Sequence, residues 1–277
     1  MKKRLVFFIY TDVNYKGSKI YDLHFENLKR YSNLFDATTL YFSLKEINDE
    51  NMELVKEYTK RMVDCGYVKE LETKIRLNTN MREVDCFREE VISRINNHVE
   101  EIVFFTHTKG LSNELNESLF RWINGMYYFS LNFSDEMETR MIYRAIPDTF
   151  RGGCVVFGFP LLESNIEPYL KNKHFYAGTI YWINCAKVAH YNRCFGINPD
   201  KDYIISTRCF AEEFPGDHFI APILGQHGCH GVNEKFSLYS HFDDELEMFY
   251  NSYDSQEDRV NFDAYCSDIM EKTGITL

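Results

Sequence analysis

A short apolar run that ends at a polar tip constrains the fold of this chain more than any other segment. Ile102–Phe105 (IVFF) contains only β-branched and aromatic residues, which is typical of a strand buried on both faces of a parallel sheet. The polar segment His107–Lys109 follows almost at once, and Gly110 supplies the backbone freedom for a turn. A helical pattern comes next, so the sequence predicts one α/β unit of strand, polar loop and helix.

The predicted helix after this loop has a clear apolar stripe. Ser112 or Asn113 is the expected N-cap, and Glu114 and Glu117 carry the sign of charge that a helix N-terminus favours. The residues of the predicted buried face recur at spacings of four and three, and they are Leu115, Leu119, Trp122, Met126, Phe129 and Phe133.

Three loops are predicted to meet at one edge of the sheet. Arg4–Tyr10 (RLVFFIY) is the expected central strand, and Thr11 and Asp12 begin the loop at its carboxyl end. Ligands bind beyond the carboxyl ends of strands in open α/β sheets, so a nucleotide is expected there, near the loop His107–Lys109. Arg82 lies at a predicted helix start and can bind a phosphate or a carboxylate. The open alternatives are a plain β-to-α connection at Asp12 and a surface Arg–Glu pair at Arg82.

Strands and helices alternate along the first half of the chain. Ile20–Leu34 and Met52–Val63 are predicted helices, Phe35–Ser43 contains a predicted strand, and Glu70–Leu77 fits either a strand or a helix end. The later predicted elements are a helix over 84–95, a strand over Cys154–Phe159, a short helix over Ala186–Tyr191, and one or two covering helices after Asn233. We therefore expect an α/β domain over 1–232 and a helical extension over 233–277 that packs on it.

Composition excludes several classes of protein. A hydrophobic content of 44% with 16% aromatic residues argues for a folded core. The net charge of −11 argues against general nucleic-acid binding, because phosphate contacts require clustered Lys and Arg. The eight cysteines form no CxxC pair, and we recognise neither a signal peptide nor a membrane span. Reduced thiols in a cytoplasmic protein are the resulting expectation.

Two later segments carry groups that suit a saccharide. Gly178 lets a backbone approach a ligand, and Tyr181 or Trp182 offers a flat apolar face to a sugar ring. The alternative is core packing, since large aromatic side chains are usually buried. Glu212 and Glu213 are adjacent carboxylates before a Pro-Gly break, and on a helix only one of them can face a pocket.

The segment Gly225–Gly231 (GQHGCHG) is the metal candidate of the sequence. His227, Cys229 and His230 are possible ligands, but a structural zinc site usually shows a second ligand pair. A glycine-rich loop near phosphates or a surface turn is the alternative.

Three motifs in a fixed order resemble one group of enzymes. They are the HTKG loop with its Trp122…Met126-Tyr-Tyr-Phe helix, the segment Tyr176–Trp182 (YAGTIYW) and the segment Phe210–Phe214 (FAEEF). Together they resemble bacterial and viral glycosyltransferases of surface polysaccharide synthesis, over roughly Arg82 to Gly216. The resemblance implies a GT-A-like fold, which is a nucleotide-binding mixed sheet flanked by helices.

The residues and the resemblance together suggest roles for particular positions. A nucleotide-sugar donor is expected at Thr11, Asp12, Arg82, His107 and Lys109, where Lys109 and His107 stabilise the leaving diphosphate. The acceptor and its sugar are expected at Trp122, Gly178, Tyr181 and Trp182. Glu212 matches the Ala-Glu pair of the group and is the expected base, with Glu213 and Asp148 as alternates.

The chain differs from the sequence pattern of these glycosyltransferases in two places. Thr179 and Ile180 stand where Asn and an aromatic residue are usual, so the sugar is left open. No Asp-x-Asp follows the Glu101–Thr106 strand, where many GT-A enzymes hold a divalent metal. Mn²⁺ or Mg²⁺ could instead be held by His107 with Asp12 or by the His227 cluster, and the metal is left open.

The expected activity is transfer of a sugar, with inversion, from a nucleotide-diphosphate-sugar, with UDP favoured. The expected acceptor is a saccharide or lipid-linked saccharide, and the latter would bring the protein to the inner face of a membrane. Two alternatives are a nucleotide-sugar hydrolase and a non-catalytic carbohydrate-binding protein.

Overall fold

The computed structural model describes residues 1–79, 81–132, 156–158, 161–164, 174–176, 180–197, 220–222, 230–232 and 256–277. The strands in these ranges are β1 (Lys2–Thr11), β2 (Ala37–Leu44), β3 (Leu71–Leu77), β4 (Glu101–His107), β5 (Val156–Gly158), β6 (Leu161–Ser164), β7 (His174–Tyr176), β8 (Tyr181–Asn184), β9 (Ile220–Pro222) and β10 (His230–Val232). The helices are α1 (Lys19–Lys29), α2 (Asp49–Asp64), α3 (Glu83–Phe87), a π-helical turn (Arg88–Ile92), α4 (Ser93–Asn96), α5 (Glu117–Leu131), α6 (Cys185–Phe195) and α7 (Gln256–Thr273).

Seven of the described strands form one mixed sheet in the order β3-β2-β1-β4-β8-β5-β9. The first four run parallel to one another, and β8 runs antiparallel to both β4 and β5. Strands β10, β6 and β7 form a second, small sheet. The predicted α/β fold, a mixed sheet flanked by helices, is confirmed.

Helices cover both faces of the large sheet. Alternate residues of each strand point towards opposite faces, so each strand contributes to two cores. In β1, Leu5 and Phe7 belong to a core with α1, α2, α5 and α7. Val6 and Phe8 belong to the opposite core, with α3, the π-helical turn, α4 and α6. A strand that is buried on both faces needs an almost continuous apolar run, which explains why β1 and β4 could be predicted from the sequence.

Several predicted boundaries needed correction. The predicted helix Ile20–Leu34 ends at Lys29, and a short 3-10 turn covers Ser32–Leu34. The undecided segment Glu70–Leu77 is an edge strand, β3, whose exposed residues give it little periodicity. Neither Ser112 nor Asn113 caps α5: Asn116 does, since its side-chain oxygen accepts a hydrogen bond from the Leu119 N–H at 2.8 Å.

Helix α5 is buried on nearly all sides instead of along one stripe. The predicted face holds for Leu119, Trp122, Met126 and Phe129, whereas Leu115 precedes the helix and Phe133 lies outside the described residues. The residues between the stripe positions are also buried, and they include Phe120, Ile123, Tyr127 and Tyr128. A helix that is apolar all round lies inside the protein, here among the sheet, α1 and α7.

The C-terminal helix α7 packs on α1 and α5. Phe262 and Ile269 are fully buried and belong to the same core as β1. This is one of the covering helices that the sequence predicted, and the rest of the region after Asn233 lies outside the described residues. The proposed boundary at position 232 stays a prediction. No helix in the described ranges is long and apolar enough to span a bilayer.

Candidate functional site

A cavity of about 170 Å³ opens at the carboxyl ends of β1 and β4. Three segments of chain converge on it: the end of β1 with the turn after it, the segment after β3, and the loop after β4. Its lining residues are Phe8, Tyr10, Tyr15, Asn78, Arg82, Glu83 and the continuous run His107–Ser112. We call this the β1–β4 cavity. The structure therefore brings together Arg82, His107 and Lys109, which the sequence predicted to share one edge.

The loop after β4 is held in place by β1. His107 is the last residue of β4 and pairs with Phe8 of β1. The Thr108 N–H donates to the Phe8 carbonyl at 3.1 Å, and the Thr108 hydroxyl accepts from the Tyr10 N–H at 3.2 Å. The chain then turns at Gly110, whose φ of +85° lies in the left-handed region that favours glycine. A Cβ added there would lie 2.9 Å from a Leu119 methyl group, so a larger residue would also require Leu119 to shift.

Lys109 is half-buried at the wall of the cavity. Its ammonium nitrogen lies 5.1 Å from the ring centroid of Trp122, which is within cation–π range. Its backbone carbonyl lies 3.1 Å from Nε2 of His24, on α1. Both ends of this residue are therefore oriented by side chains of the surrounding helices.

Arg82 is exposed at the rim of the cavity, immediately before α3. Its φ of 50° is unusual for a residue with a side chain. The guanidinium forms no ion pair with any residue in the described part of the chain, so the alternative of an Arg–Glu pair is not found there. Burial raises the pKa of the neighbouring Tyr10, Asp12 adds to the rise, and the Arg82 charge opposes it.

Thr11 and Asp12 are not among the residues that line the cavity, so their assignment to donor contacts stays a prediction. The Thr11 hydroxyl is buried and donates to the Ile9 carbonyl at 3.3 Å. The Asp12 carboxylate caps the turn Val13–Tyr15, where it accepts from the Asn14 N–H at 3.0 Å. Burial raises its pKa, but the Asn14 hydrogen bonds and Lys45 outweigh burial and leave the pKa below its usual value. Asp12 therefore acts on the cavity indirectly, by shaping the turn that carries Tyr15.

The aromatic residues assigned to sugar contacts are core residues, which corrects a prediction. Trp182 and Tyr181 are fully buried in β8, and the Trp182 indole N–H donates to the Ser130 carbonyl at 2.6 Å. Trp122 is only 3% exposed and lies beneath Lys109. None of these rings presents a face to a sugar in this conformation, because each fills space between the sheet and its helices.

The remaining predicted site residues all come later in the sequence than α5. Asp148, Gly178, Glu212, Glu213, His227 and Cys229 lie outside the described residues. His230 falls in β10. Among the residues that the structure does describe, no group of three His, Cys, Asp or Glu side chains could hold a metal ion. A metal bound by His107 with Asp12 therefore has no third ligand of this kind in the described ranges.

Sequence reasoning missed Tyr10, Tyr15 and Asn78 as cavity residues. The position of Asn78 could have been predicted from the sequence. Asn78 directly follows β3, and β3 runs parallel to β2, so Asn78 must lie at the same edge of the sheet as the carboxyl ends of β1 and β4. The Asn78 side-chain oxygen accepts from the Ser43 hydroxyl at 2.9 Å, which anchors the amide to β2. Tyr10 and Tyr15 pack edge to face, with centroids 6.1 Å apart.

The residues that line the β1–β4 cavity suit a ligand that carries a phosphate group at one end and an aromatic or polar group at the other. The Arg82 guanidinium and the Lys109 ammonium are cations, and His107, the last residue of β4, also lines the cavity. Glu83 is the carboxylate in the lining and can accept hydrogen bonds from a hydroxyl group. The protein as a whole is acidic, so this grouping of cations is a local feature.

No protein-family model matches the chain, and no curated protein matches its sequence. A solved structure of 4-diphosphocytidyl-2C-methyl-D-erythritol synthase aligns with 89% of this chain and 99% of its own, at 11% identity and a TM-score of 0.35. A likeness this weak carries no argument about ligand or reaction. The function of this protein is therefore inferred from its own residues.

Proposed function

We propose that the chain is a glycosyltransferase that moves a sugar from a nucleotide-diphosphate-sugar, with a UDP-sugar favoured, to a hydroxyl of a saccharide acceptor in surface polysaccharide synthesis. The observation that carries the proposal is the β1–β4 cavity, in which Arg82, His107 and Lys109 meet at the carboxyl ends of the parallel strands of the sheet. The ordered motifs of the sequence supply the reaction type.

The cations of the cavity support a role at the diphosphate. Negative charge develops on the leaving nucleoside diphosphate when its bond to the sugar breaks. A Lys109 ammonium that is held over Trp122 is already oriented, so little reorganisation is needed when that charge appears. Arg82 at the rim can bind a phosphate through two parallel N–H···O hydrogen bonds.

Tyr10, Tyr15 and Asn78 support a role at the nucleoside. The two rings offer apolar faces beside the cations, and the Asn78 amide is anchored by Ser43. The volume of about 170 Å³ is smaller than the roughly 300–1,000 Å³ of small-molecule sites, so the lining described here accounts for part of a nucleotide-sugar site.

The base in this proposal is Glu212, with Glu213 and Asp148 as alternates. It would take the proton of the acceptor hydroxyl as the new bond forms at the anomeric carbon, and a single displacement inverts that carbon. A lipid-linked saccharide acceptor would bring the protein to the inner face of a membrane. Mn²⁺ or Mg²⁺ would add a further positive charge at the diphosphate, and the first experiment includes the metal as a variable.

A thermal-shift panel of UDP, GDP, CDP and dTDP, each with and without Mn²⁺, tests the donor site. A ligand that binds only the folded protein raises the melting temperature by mass action, and we expect UDP to give the largest rise. No rise with any nucleotide would contradict the proposal and favour a carbohydrate-binding protein. Release of free sugar from a UDP-sugar at the same rate with and without acceptor would favour a hydrolase.

Lys109→Met tests the cation at the diphosphate. Methionine keeps an apolar chain against Trp122 and removes the charge, so we expect UDP to bind roughly tenfold to a hundredfold more weakly by calorimetry. Lys56→Met is the matched control, because Lys56 is exposed on α2 and does not line the cavity. Equal UDP affinity in the two variants would remove Lys109 from the proposed donor site.

A further inference from the structure

His24 connects the loop that carries Lys109 to the protein core. It lies on α1 and is fully buried. Its Nε2 is 3.1 Å from the Lys109 carbonyl, and its Nδ1 is 2.8 Å from the Tyr127 hydroxyl of α5. That hydroxyl is in turn 2.8 Å from the Thr106 hydroxyl of β4. The network therefore touches the chain on both sides of His107, at Thr106 and at Lys109.

The chemistry of the partners assigns the hydrogen atoms in this network. A backbone carbonyl can only accept, so the His24 Nε2 carries the hydrogen and donates it to Lys109. Burial, with a smaller contribution from the nearby His107, lowers the pKa of His24 to about 3, against the opposing effect of the Lys109 hydrogen bond. The ring is therefore neutral near pH 7, and Nδ1 accepts from Tyr127.

His24 adds a restraint that the strand pairing does not provide. Thr108 is bonded to β1 through its N–H and its hydroxyl, but the chain leaves the sheet at the next residue. The direction of the Lys109 side chain depends on its backbone orientation there, and its carbonyl points at the His24 N–H. A buried hydrogen bond of this kind is costly to break, because it leaves a donor and an acceptor unsatisfied.

We propose that His24 is a positioning residue of the β1–β4 cavity: its Nε2–H holds the Lys109 carbonyl and so directs the Lys109 ammonium at a bound diphosphate. This inference rests on the proposed function for the identity of the ligand. The restraint on the loop itself does not depend on any ligand, so the two can be tested separately.

His24→Gln and His24→Asn form a matched pair for the test. The amide nitrogen of glutamine extends about as far from the backbone as Nε2, so it can still donate to the Lys109 carbonyl. The shorter asparagine amide reaches only the position of Nδ1, near Tyr127. Both variants lose the ring and its packing. Glutamine keeps the hydrogen bond to Lys109 that the proposal concerns, whereas asparagine keeps only a group near Tyr127.

The first readout is amide hydrogen exchange of the segment 107–112 in the protein without ligand. We expect at least tenfold faster exchange in the asparagine variant than in the wild type, and within about threefold of wild type in the glutamine variant. The second readout is the UDP dissociation constant by calorimetry, with the same ranking and roughly tenfold weakening for asparagine. If His24 had a purely structural role, loop exchange and UDP affinity would change in both variants in proportion to the fall in their melting temperatures.

The outcomes separate the two proposals. Equal exchange of this loop in the two variants would overturn the positioning role, whatever UDP does. Failure of UDP to bind the wild type would overturn the proposed function, while the exchange data would still decide the role of His24. If the asparagine variant does not fold, His24→Leu replaces it, because leucine fills part of the same space and has no donor for the Lys109 carbonyl. Equal loop exchange in the leucine and glutamine variants would then overturn the positioning role.

Discussion

At the residue scale, the buried neutral state of His24 makes stability depend on pH. The pKa of His24 is lowered from 6.5 to about 3, so between these values the unfolded chain binds one more proton than the folded protein. Stability from this residue is therefore complete above pH 6.5 and is lost as the pH falls towards 3. The loss should approach ~1.4 kcal/mol of unfolding free energy per pH unit.

Urea unfolding at pH 7, 6 and 5 measures this effect. The carboxylates with lowered pKa values, such as Asp12 and Glu101, contribute to acid loss in every variant. Of the groups that titrate in this range, His24→Gln removes His24 alone. The unfolding free energy of the variant should therefore fall less steeply than that of the wild type as the pH is lowered. Parallel slopes in the two proteins would show that His24 is not a buried neutral residue.

Gly110 is expected to resist substitution for two reasons that can be separated. Gly110→Ala places a side chain at a φ of +85° and brings its Cβ to 2.9 Å from Leu119. Gly17→Ala at a φ of +78° meets nothing within 4 Å, so it carries the backbone strain alone. We expect a loss of about 1–3 kcal/mol in unfolding free energy at Gly17 and a larger loss at Gly110. Equal losses in denaturant titrations would mean that Leu119 moves aside freely.

At the element scale, α5 begins at a cap that sequence reasoning misplaced. Asn116→Ala removes the acceptor of the Leu119 N–H and should lower the unfolding free energy by about 1 kcal/mol. Asn113→Ala is the control, since Asn113 was an expected cap and is exposed in the turn before the helix. Denaturant unfolding should rank the two variants in this order. A greater loss at Asn113 would restore the N-terminal boundary that the sequence predicted.

A buried polar cluster joins α1, α5 and α7, which are three of the helices on one face of the sheet. Asn27 of α1 donates to the Asn124 side-chain oxygen of α5 at 2.7 Å. Tyr265 of α7 donates to the Asn27 side-chain oxygen at 2.5 Å. Buried polar groups of this kind require partners in matching positions, so they favour one arrangement of α1, α5 and α7.

At the scale of the whole molecule, α7 shares a core with the sheet and should not melt separately. Phe262 packs against Tyr128 and Phe129 of α5, with ring centroids 5.3 and 5.2 Å apart. Phe262→Ala should therefore lower the unfolding free energy by about 3–5 kcal/mol in a single transition. Val260→Ala on the exposed side of the same helix should change it little.

Calorimetry distinguishes this expectation from an independent extension after position 232. If residues 233–277 formed a separate unit, Phe262→Ala would produce an early transition and leave the main one unchanged. One lowered transition would argue that the extension folds with the rest of the chain.

The parts of the fold that sequence analysis predicted well are those that local pattern encodes. Buried parallel strands need continuous apolar runs, so β1 and β4 could be recognised, together with the polar loop that must follow β4. Arg82 at a helix start and Lys109 in that loop were expected at one edge because strand order and direction constrain where loops emerge. The structure places both in the lining of one cavity.

Tertiary structure decided where individual side chains point. Asp12 was expected to meet a ligand, but Asn14 and Lys45 occupy its carboxylate. Trp182 was expected to meet a sugar, but it is buried in the core and donates to Ser130. His24 gave no signal in sequence, because its partners Tyr127 and Lys109 are distant in the chain. Periodicity reports which residues are apolar, whereas the partner of a polar group depends on contacts that only the complete fold creates.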